Sequence, residues 1–135
     1  MTIIVCVDDN FGMLFNKRRQ SRDKLLCEHI LKVTKGANLL MNSYSAKLFP
    51  TNENIIIKDD FLDTAQKEDY CFVEGEISNY QNDIEKIILY RWNRVYPADT
   101  YFQFPMDKGI WKLQKTSEIE GNSHTIITEE VYTNE

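Results

Sequence analysis

The sequence has few of the residues that usually mark a reactive or metal-binding site. It contains two histidines, three cysteines and five glycines in 135 residues. The histidines, His29 and His124, lie in no H-x-H or H-E-x-x-H pattern, so no metal site is predicted. No G-x-S-x-G, P-loop or G-x-G-x-x-G motif is present either. The common signatures of serine hydrolases, nucleotide-binding loops and zinc enzymes are therefore missing.

The cysteines are too few and too widely spaced to indicate a disulfide framework. Cys6, Cys27 and Cys71 form no C-x-x-C pair, and an odd number cannot form a closed set of disulfides. Each lies in an apolar run, which predicts buried, reduced thiols.

Long apolar segments are absent near the start of the chain. The run at residues 3–7 is followed directly by Asp8 and Asp9. It is too short for a signal peptide or a membrane helix. We therefore expect a cytoplasmic protein with no membrane partner.

Acidic residues are in modest excess over basic ones, 21 against 16. The formal net charge is −5, so a bulk attraction to nucleic acid is not expected. Hydrophobic residues make up 42% and charged residues 27% of the chain, a composition typical of globular proteins. The length predicts one domain over residues 1–135.

The spacing of apolar residues predicts alternating strands and helices. Strands are predicted at 3–7, 39–41, 55–57, 70–73 and 86–92, with a helix after Ser21 that ends at Gly36. Residues 8–16 are predicted as a loop, and residues 43–48 and 77–83 as short helical segments. Residues 111–118 and 124–132 have strand composition and predict a terminal hairpin. This order indicates an α/β fold with a mainly parallel sheet, flanking helices and a C-terminal antiparallel hairpin.

The order of several short motifs resembles dihydrofolate reductase. The resemblance covers nearly the whole chain. It rests on the opening strand, Phe11-Gly12, Asp23, Leu40-Met41-Asn42-Ser43, Val73-Glu74-Gly75-Glu76, Asp99-Thr100-Tyr101-Phe102, Trp111 and Ser123-His124. It implies a dihydrofolate reductase-like fold, a substrate cleft near Asp23, and an NADPH site that includes Asn42, Ser43 and Gly75.

Departures from the family pattern lie mainly at the implied cofactor site. Ser43 and Ser45 occur where the family has Arg and Thr for NADPH phosphates, and Glu74 replaces the first of two adjacent glycines. The bulk and charge of Glu74 disfavour a nearby phosphate. NADPH is thus implied by the resemblance, but the sequence does not predict that it binds in the family manner. If the protein is an enzyme, a divergent reductase fits better than a metal nuclease such as ribonuclease Z.

A cation-rich stretch precedes the predicted helix. Lys17, Arg18, Arg19 and Arg22 lie within six residues, together with Ser21, which we predict as the helix N-cap. Free N–H groups and the helix dipole at such a start favour anions, so this stretch is a candidate anion site. The alternative is a solvated basic loop.

Two carboxylate positions permit more than one interpretation. Asp23 matches the acidic residue that contacts the pterin in the family, which predicts a catalytic role. It is equally an ordinary acidic residue of a first helical turn. Asp8-Asp9 suits a strand-ending loop better than a metal pair.

Two functions of different classes follow from these features. The first is binding of a small anionic molecule, such as a nucleotide or a pterin-like compound, in the cleft near Asp23. The alternative is a non-catalytic domain that contacts a protein or RNA partner through residues 17–22.

Overall fold

The architecture is a seven-stranded sheet with short helices and a small second sheet. The structure is a computed structural model that describes residues 1–105 and 109–134. Its strands are β1 (Thr2–Val7), β2 (Gly12–Phe15), β3 (Arg18–Arg19), β4 (Leu39–Met41), β5 (Ile55–Ile57), β6 (Tyr70–Phe72), β7 (Lys86–Arg91), β8 (Thr100–Tyr101), β9 (Trp111–Glu120) and β10 (Ile126–Asn134). Its helices are α1 (Lys24–Val33), α2 (Ser43–Ala46) and α3 (Phe61–Thr64), with a 3₁₀ segment at Ser78–Asp83.

The main sheet confirms the predicted fold class. Its strand order is β5-β4-β6-β1-β7-β10-β9. The first five strands in this order are mutually parallel, whereas β10 is antiparallel to both β7 and β9. Residues of β1 alternate between two apolar clusters, which places one cluster on each face of the sheet.

The segment predicted as a loop at residues 8–16 contains a strand. There β2 pairs with β3 and with β8 in a second, three-stranded sheet. The buried Asp8 carboxylate reverses the chain before β2, because it accepts bonds from the backbone N–H groups of Asn10 (2.9 Å) and Gly12 (2.7 Å). A Cβ at Gly12 would lie 2.7 Å from that of Ala98, so this turn needs glycine. Asp8 thus acts as a loop residue, as expected.

Helix α1 begins two residues later than predicted. Its N-cap is Asp23, whose Oδ1 accepts from the Leu26 N–H at 3.1 Å, so the prediction of Ser21 as N-cap was wrong. The helix ends at Val33, and Gly36 lies in the following turn at a φ of 88°. Asp23 replaces Ser21 as the cap because its backbone is extended and its carboxylate accepts from the Leu26 N–H, whereas the N–H groups of Lys24 and Leu25 donate to Asn122 Oδ1.

The C-terminal hairpin is present and longer than predicted. Strand β9 ends at Glu120 and β10 begins at Ile126. His124 therefore lies in the connecting turn and not in a strand. Helix α3 was not predicted from the sequence. Among the described residues, no helix combines the length and apolarity needed to cross a membrane.

The cysteines are all free thiols. Cys27 and Cys71 are buried in opposite clusters, and Cys6 is partly buried beside the first of these. Burial raises the pKa of Cys27 to about 11 and that of Cys71 to about 12. Both thiols are therefore protonated and unreactive at neutral pH.

A buried carboxylate joins α1 to the sheet. Glu129 on β10 accepts from the Tyr90 hydroxyl at 2.8 Å and contacts His29 Nε2 at 2.7 Å. The His29 bond lowers the pKa of Glu129, against the effect of its burial, and the Tyr90 bond adds to the lowering. The charged form of Glu129 is thus stabilised by two partners on neighbouring elements.

Replacing His29 by alanine should lower the free energy of unfolding by about 1–2 kcal/mol, because the Glu129 carboxylate loses a partner while it stays buried. Urea unfolding monitored by circular dichroism measures this loss. Glu28→Ala changes the exposed neighbour on α1 and is the control. Equal stabilities of the two variants would contradict the role given to His29.

Candidate functional site

The Asp23 carboxylate is saturated by hydrogen bonds from the turn between β9 and β10. Its Oδ2 accepts from the backbone N–H groups of Asn122 (2.9 Å), Ser123 (2.9 Å) and His124 (3.1 Å). The Ser123 hydroxyl also donates to Oδ2 at 3.1 Å, and Oδ1 holds the Leu26 N–H. Both oxygens are therefore engaged within the protein.

These bonds keep Asp23 ionised and the turn closely packed. Burial opposes ionisation, but the backbone bonds from Asn122, Leu26 and Ser123 lower the pKa of Asp23 to about 2. A Cβ at Gly121 would lie 2.5 Å from Asp23 Oδ2, so only glycine permits this approach. The bonds support the helix-cap interpretation, and a catalytic role for Asp23 stays a prediction.

His124 links Asp23 to Ser21 and Tyr96. Its Nδ1 lies 3.4 Å from Asp23 Oδ2, and its Nε2 lies 3.3 Å from Ser21 Oγ and 2.9 Å from the Tyr96 hydroxyl. The ring stacks on Trp92 with centroids 4.4 Å apart. The order Ser-His-Asp resembles a nucleophilic triad, but both contacts within it are long and Tyr96 takes the closest position at Nε2. We therefore interpret the contacts of His124 as structural: they connect the β9–β10 turn to the start of α1.

A second internal carboxylate lies where the resemblance implies cofactor phosphates. Glu74 accepts from Arg19 Nε (2.8 Å) and NH2 (3.0 Å), and its Oε1 also accepts from the Ser45 hydroxyl at 2.7 Å. The Arg19 guanidinium lies 4.1 Å from the centroid of the Tyr44 ring. Arg19, Glu74 and Ser45, called here the Arg19 bridge, thus connect β3, α2 and the end of β6.

The predicted cofactor residues have internal partners or no close contact. Asn42 is the N-cap of α2 and accepts from the Ser45 N–H at 2.8 Å. Ser43 bonds Asp59 through its backbone N–H and its hydroxyl. A Cβ at Gly75 would meet nothing within 4 Å. A role of these residues in NADPH binding stays a prediction.

The cations of the basic stretch are separated by the fold. Asn16 and Lys17 form the tip of the β2–β3 hairpin, both at positive φ, with Arg18 exposed beside them. Arg19 points into its bridge, whereas Arg22 is exposed next to α1. Ser21 contacts His124. The structure therefore does not gather these side chains into one anion site.

Two spaces border Asp23, one small and the other larger and more open. Beneath the Arg19 bridge lies a cavity of about 20 Å³. Such a volume holds about one water molecule. On the other side of Asp23, a groove of about 610 Å³ runs between α1 and residues 48–50. Within residues 1–105 and 109–134, no three His, Cys, Asp or Glu side chains form a metal-binding group.

No protein-family model matches the chain, and no curated protein matches it in sequence. A solved structure does match: dihydrofolate reductase from Enterococcus faecalis, complexed with NADP(H) and RAB-propyl. The TM-score is 0.66 at 10% identity, over 98% of this chain and 95% of that one. The chain has the dihydrofolate reductase fold.

Sequence reasoning found Asp23 and Glu74 in this dihydrofolate reductase-like fold but missed their partners. Asn122 and His124 were not assigned to the Asp23 region, and Arg19 was not connected to Glu74. Gly121 was the available signal for the first contact, because a glycine in a turn often marks a close approach of another group. No local sequence pattern indicated the contact between Arg19 and Glu74.

Replacing Asp23 by asparagine should lower the free energy of unfolding by about 2 kcal/mol at neutral pH. The amide NH2 cannot accept from the N–H groups that now bond the carboxylate. Because the pKa of Asp23 falls from 3.8 to about 2 on folding, its contribution is complete above about pH 5 and is lost as the pH falls towards 2.

Urea unfolding at pH 7, 4 and 3 measures this difference between the wild type and the variant. Asp9→Asn, at an exposed position, is the control for loss of one carboxylate. The structural role of Asp23 is contradicted if the D23N and D9N variants unfold at the same urea concentration at every pH.

Proposed function

We propose that this protein binds a small molecule that carries an apolar body and an anionic group, in the groove between α1 and residues 48–50. The observation that carries the proposal is the groove itself. Its volume of about 610 Å³ lies within the range of small-molecule sites. It is the open space beside Asp23, where the fold resemblance implies a substrate cleft.

The walls of the groove suit such a ligand. One side is formed by Leu48, Phe49 and Pro50, which offer apolar contact. The opposite side carries Arg22 and Lys24 at the start of α1, where the helix dipole also favours negative charge. Glu28 lines the groove one turn further along α1, so the anionic group is expected near the start of α1.

Binding without NADPH-dependent reduction is the form of this proposal that the contacts favour. Glu74 places a carboxylate at the implied phosphate site and engages Ser45 and Arg19. A cofactor phosphate there would meet a like charge and lose two donors. Asp23 likewise has no free oxygen for a pterin, because both are engaged within the protein.

A thermal-shift screen tests the proposal directly. Folate, nucleoside phosphates and NADPH are each added at millimolar concentration, since a ligand that binds the folded state raises the melting temperature. We expect a shift with at least one folate or nucleotide and none with NADPH. The absence of a shift with every compound would reject the groove as a site for these ligands.

The double variant Arg22→Ala, Lys24→Ala should weaken binding of the best ligand by about tenfold, because two exposed cations contribute roughly 1 kcal/mol or less each. Titration calorimetry measures the dissociation constant. Lys32→Ala, Lys35→Ala removes the same charge at the other end of α1 and is the matched control. Equal losses in both double variants would place the ligand outside the groove.

The hairpin tip favours a second candidate function. Phe15 is 44% exposed next to Lys17 and Arg18. An exposed aromatic ring flanked by cations suits contact with a protein or RNA partner. Capture of such a partner from cell extract should be lost in a Phe15→Ala, Arg18→Ala variant and retained in the R22A/K24A variant. Capture by both variants alike would exclude the tip.

A further inference from the structure

We propose that this protein binds a small organic ammonium ion in a second pocket, which is distinct from the groove beside Asp23. Residues 75–77, residues 99–105 and Met13 line this space, called here the acidic pocket. Its volume of about 370 Å³ lies within the range of small-molecule sites. Among the described residues, the acidic pocket and the groove have no lining residue in common, so this proposal and the proposed function can fail independently.

The charge of the acidic pocket favours a cation. Within residues 1–105 and 109–134, its charged lining residues are two carboxylates, Glu76 and Asp99. Neither forms an ion pair in the described part of the chain. Asp99 Oδ2 accepts from the Asn16 N–H at 3.0 Å, and this neutral donor orients the carboxylate without cancelling its charge. An ammonium group in the pocket would therefore meet uncompensated negative charge on the wall.

The inner wall of the acidic pocket suits the apolar body of such a ligand. Met13, Ile77 and Phe102 are buried and belong to one apolar cluster. The Phe104 ring makes edge-on contacts with the rings of Phe102 and Tyr132, with centroids 5.2 Å and 4.8 Å apart. These contacts fix the aromatic part of the wall before a ligand arrives, which lowers the ordering cost of binding.

Tyr101 adds an accessible aromatic ring to the wall that carries Asp99. It is 52% exposed, and its hydroxyl donates to the Ala98 carbonyl oxygen at 3.1 Å. This bond restrains the ring at its polar end. Because the face of an aromatic ring attracts a cation, Tyr101 and the two carboxylates favour the same ligand charge.

The same charges do not suit the anionic cofactor that the fold resemblance implies near Gly75. A phosphate in the acidic pocket would meet the carboxylates of Glu76 and Asp99, and no Lys or Arg lines the described part of the wall. The ligand class that we propose is therefore opposite in charge to that cofactor.

Three probes that share a phenyl ring test the proposal. At neutral pH phenethylamine is a cation, phenethyl alcohol is neutral and phenylacetate is an anion. Amide chemical shifts of the isotope-labelled protein give each dissociation constant and locate the site. We expect phenethylamine to bind at least about fivefold more tightly than the alcohol, with phenylacetate the weakest.

The amine should shift the amide signals of Gly75, Thr100 and Phe102 and leave those of Lys24 and Asn122 in the groove unchanged. Equal affinities of the amine and the alcohol, shifts confined to the groove amides, or no binding of the amine would each overturn the proposal.

The double variant Glu76→Gln, Asp99→Asn removes both charges and keeps the side-chain shapes. It should weaken binding of phenethylamine by about tenfold and leave the affinity for the alcohol unchanged. Glu53→Gln, Glu68→Gln removes two exposed carboxylates elsewhere and is the matched control. Equal losses in the two double variants would contradict the assignment. Because Glu76 is exposed, E76Q alone serves if the double variant does not fold, with a loss of about threefold expected.

Replacing Tyr101 by leucine should weaken binding of phenethylamine by about two- to fivefold, because the ring face is lost. Tyr101→Phe keeps the ring and should retain the wild-type affinity. Equal losses in Y101L and Y101F would contradict a contribution from the ring. The groove variant R22A/K24A should bind phenethylamine like the wild type, which separates this test from that of the proposed function.

Discussion

The Asp23 carboxylate is the contact on which the arrangement of the site depends. It caps α1 and at the same time holds the turn that joins β9 and β10, so one ionised group positions a helix start and a hairpin. The hairpin in turn completes the main sheet beside β7. Because Oδ2 accepts from three backbone N–H groups and one hydroxyl, the contact favours a charged acceptor, and the close approach of Asp23 requires glycine at 121.

The same contact engages the carboxylate for which the resemblance implies a ligand. The resemblance to dihydrofolate reductase implies an acidic residue beside a substrate cleft, and here both oxygens of Asp23 accept hydrogen bonds from within the protein. Glu74 is likewise engaged within the protein, because at the implied cofactor site it accepts from Arg19 and Ser45. In both places an internal interaction takes the position where the family resemblance implies a ligand. The fold is therefore retained, while both carboxylates are engaged within the protein.

Open volume and charge distinguish the two spaces that border Asp23. The cavity between Asp23 and Glu74 holds no more than about one water molecule. The groove outside Asp23 is large, apolar on one side and cationic near the start of α1. The ligand that we propose for the groove would leave both carboxylates with their internal partners.

The order of the main strands and helices could be predicted from local sequence patterns. The apolar run of β1, the helical spacing of α1 and the strand composition near the C-terminus were sufficient for a mainly parallel sheet with a final hairpin, because burial on a sheet or helix face imposes a short period. Strand β2 and the cap of α1 were missed, since each depends on a backbone N–H that donates to the carboxylate of Asp8 or Asp23, and the spacing of apolar residues does not reveal such a bond. The site itself arose only in three dimensions. Asp23 and Asn122 are 99 residues apart and Arg19 and Glu74 are 55 apart, so folding alone brings these partners together.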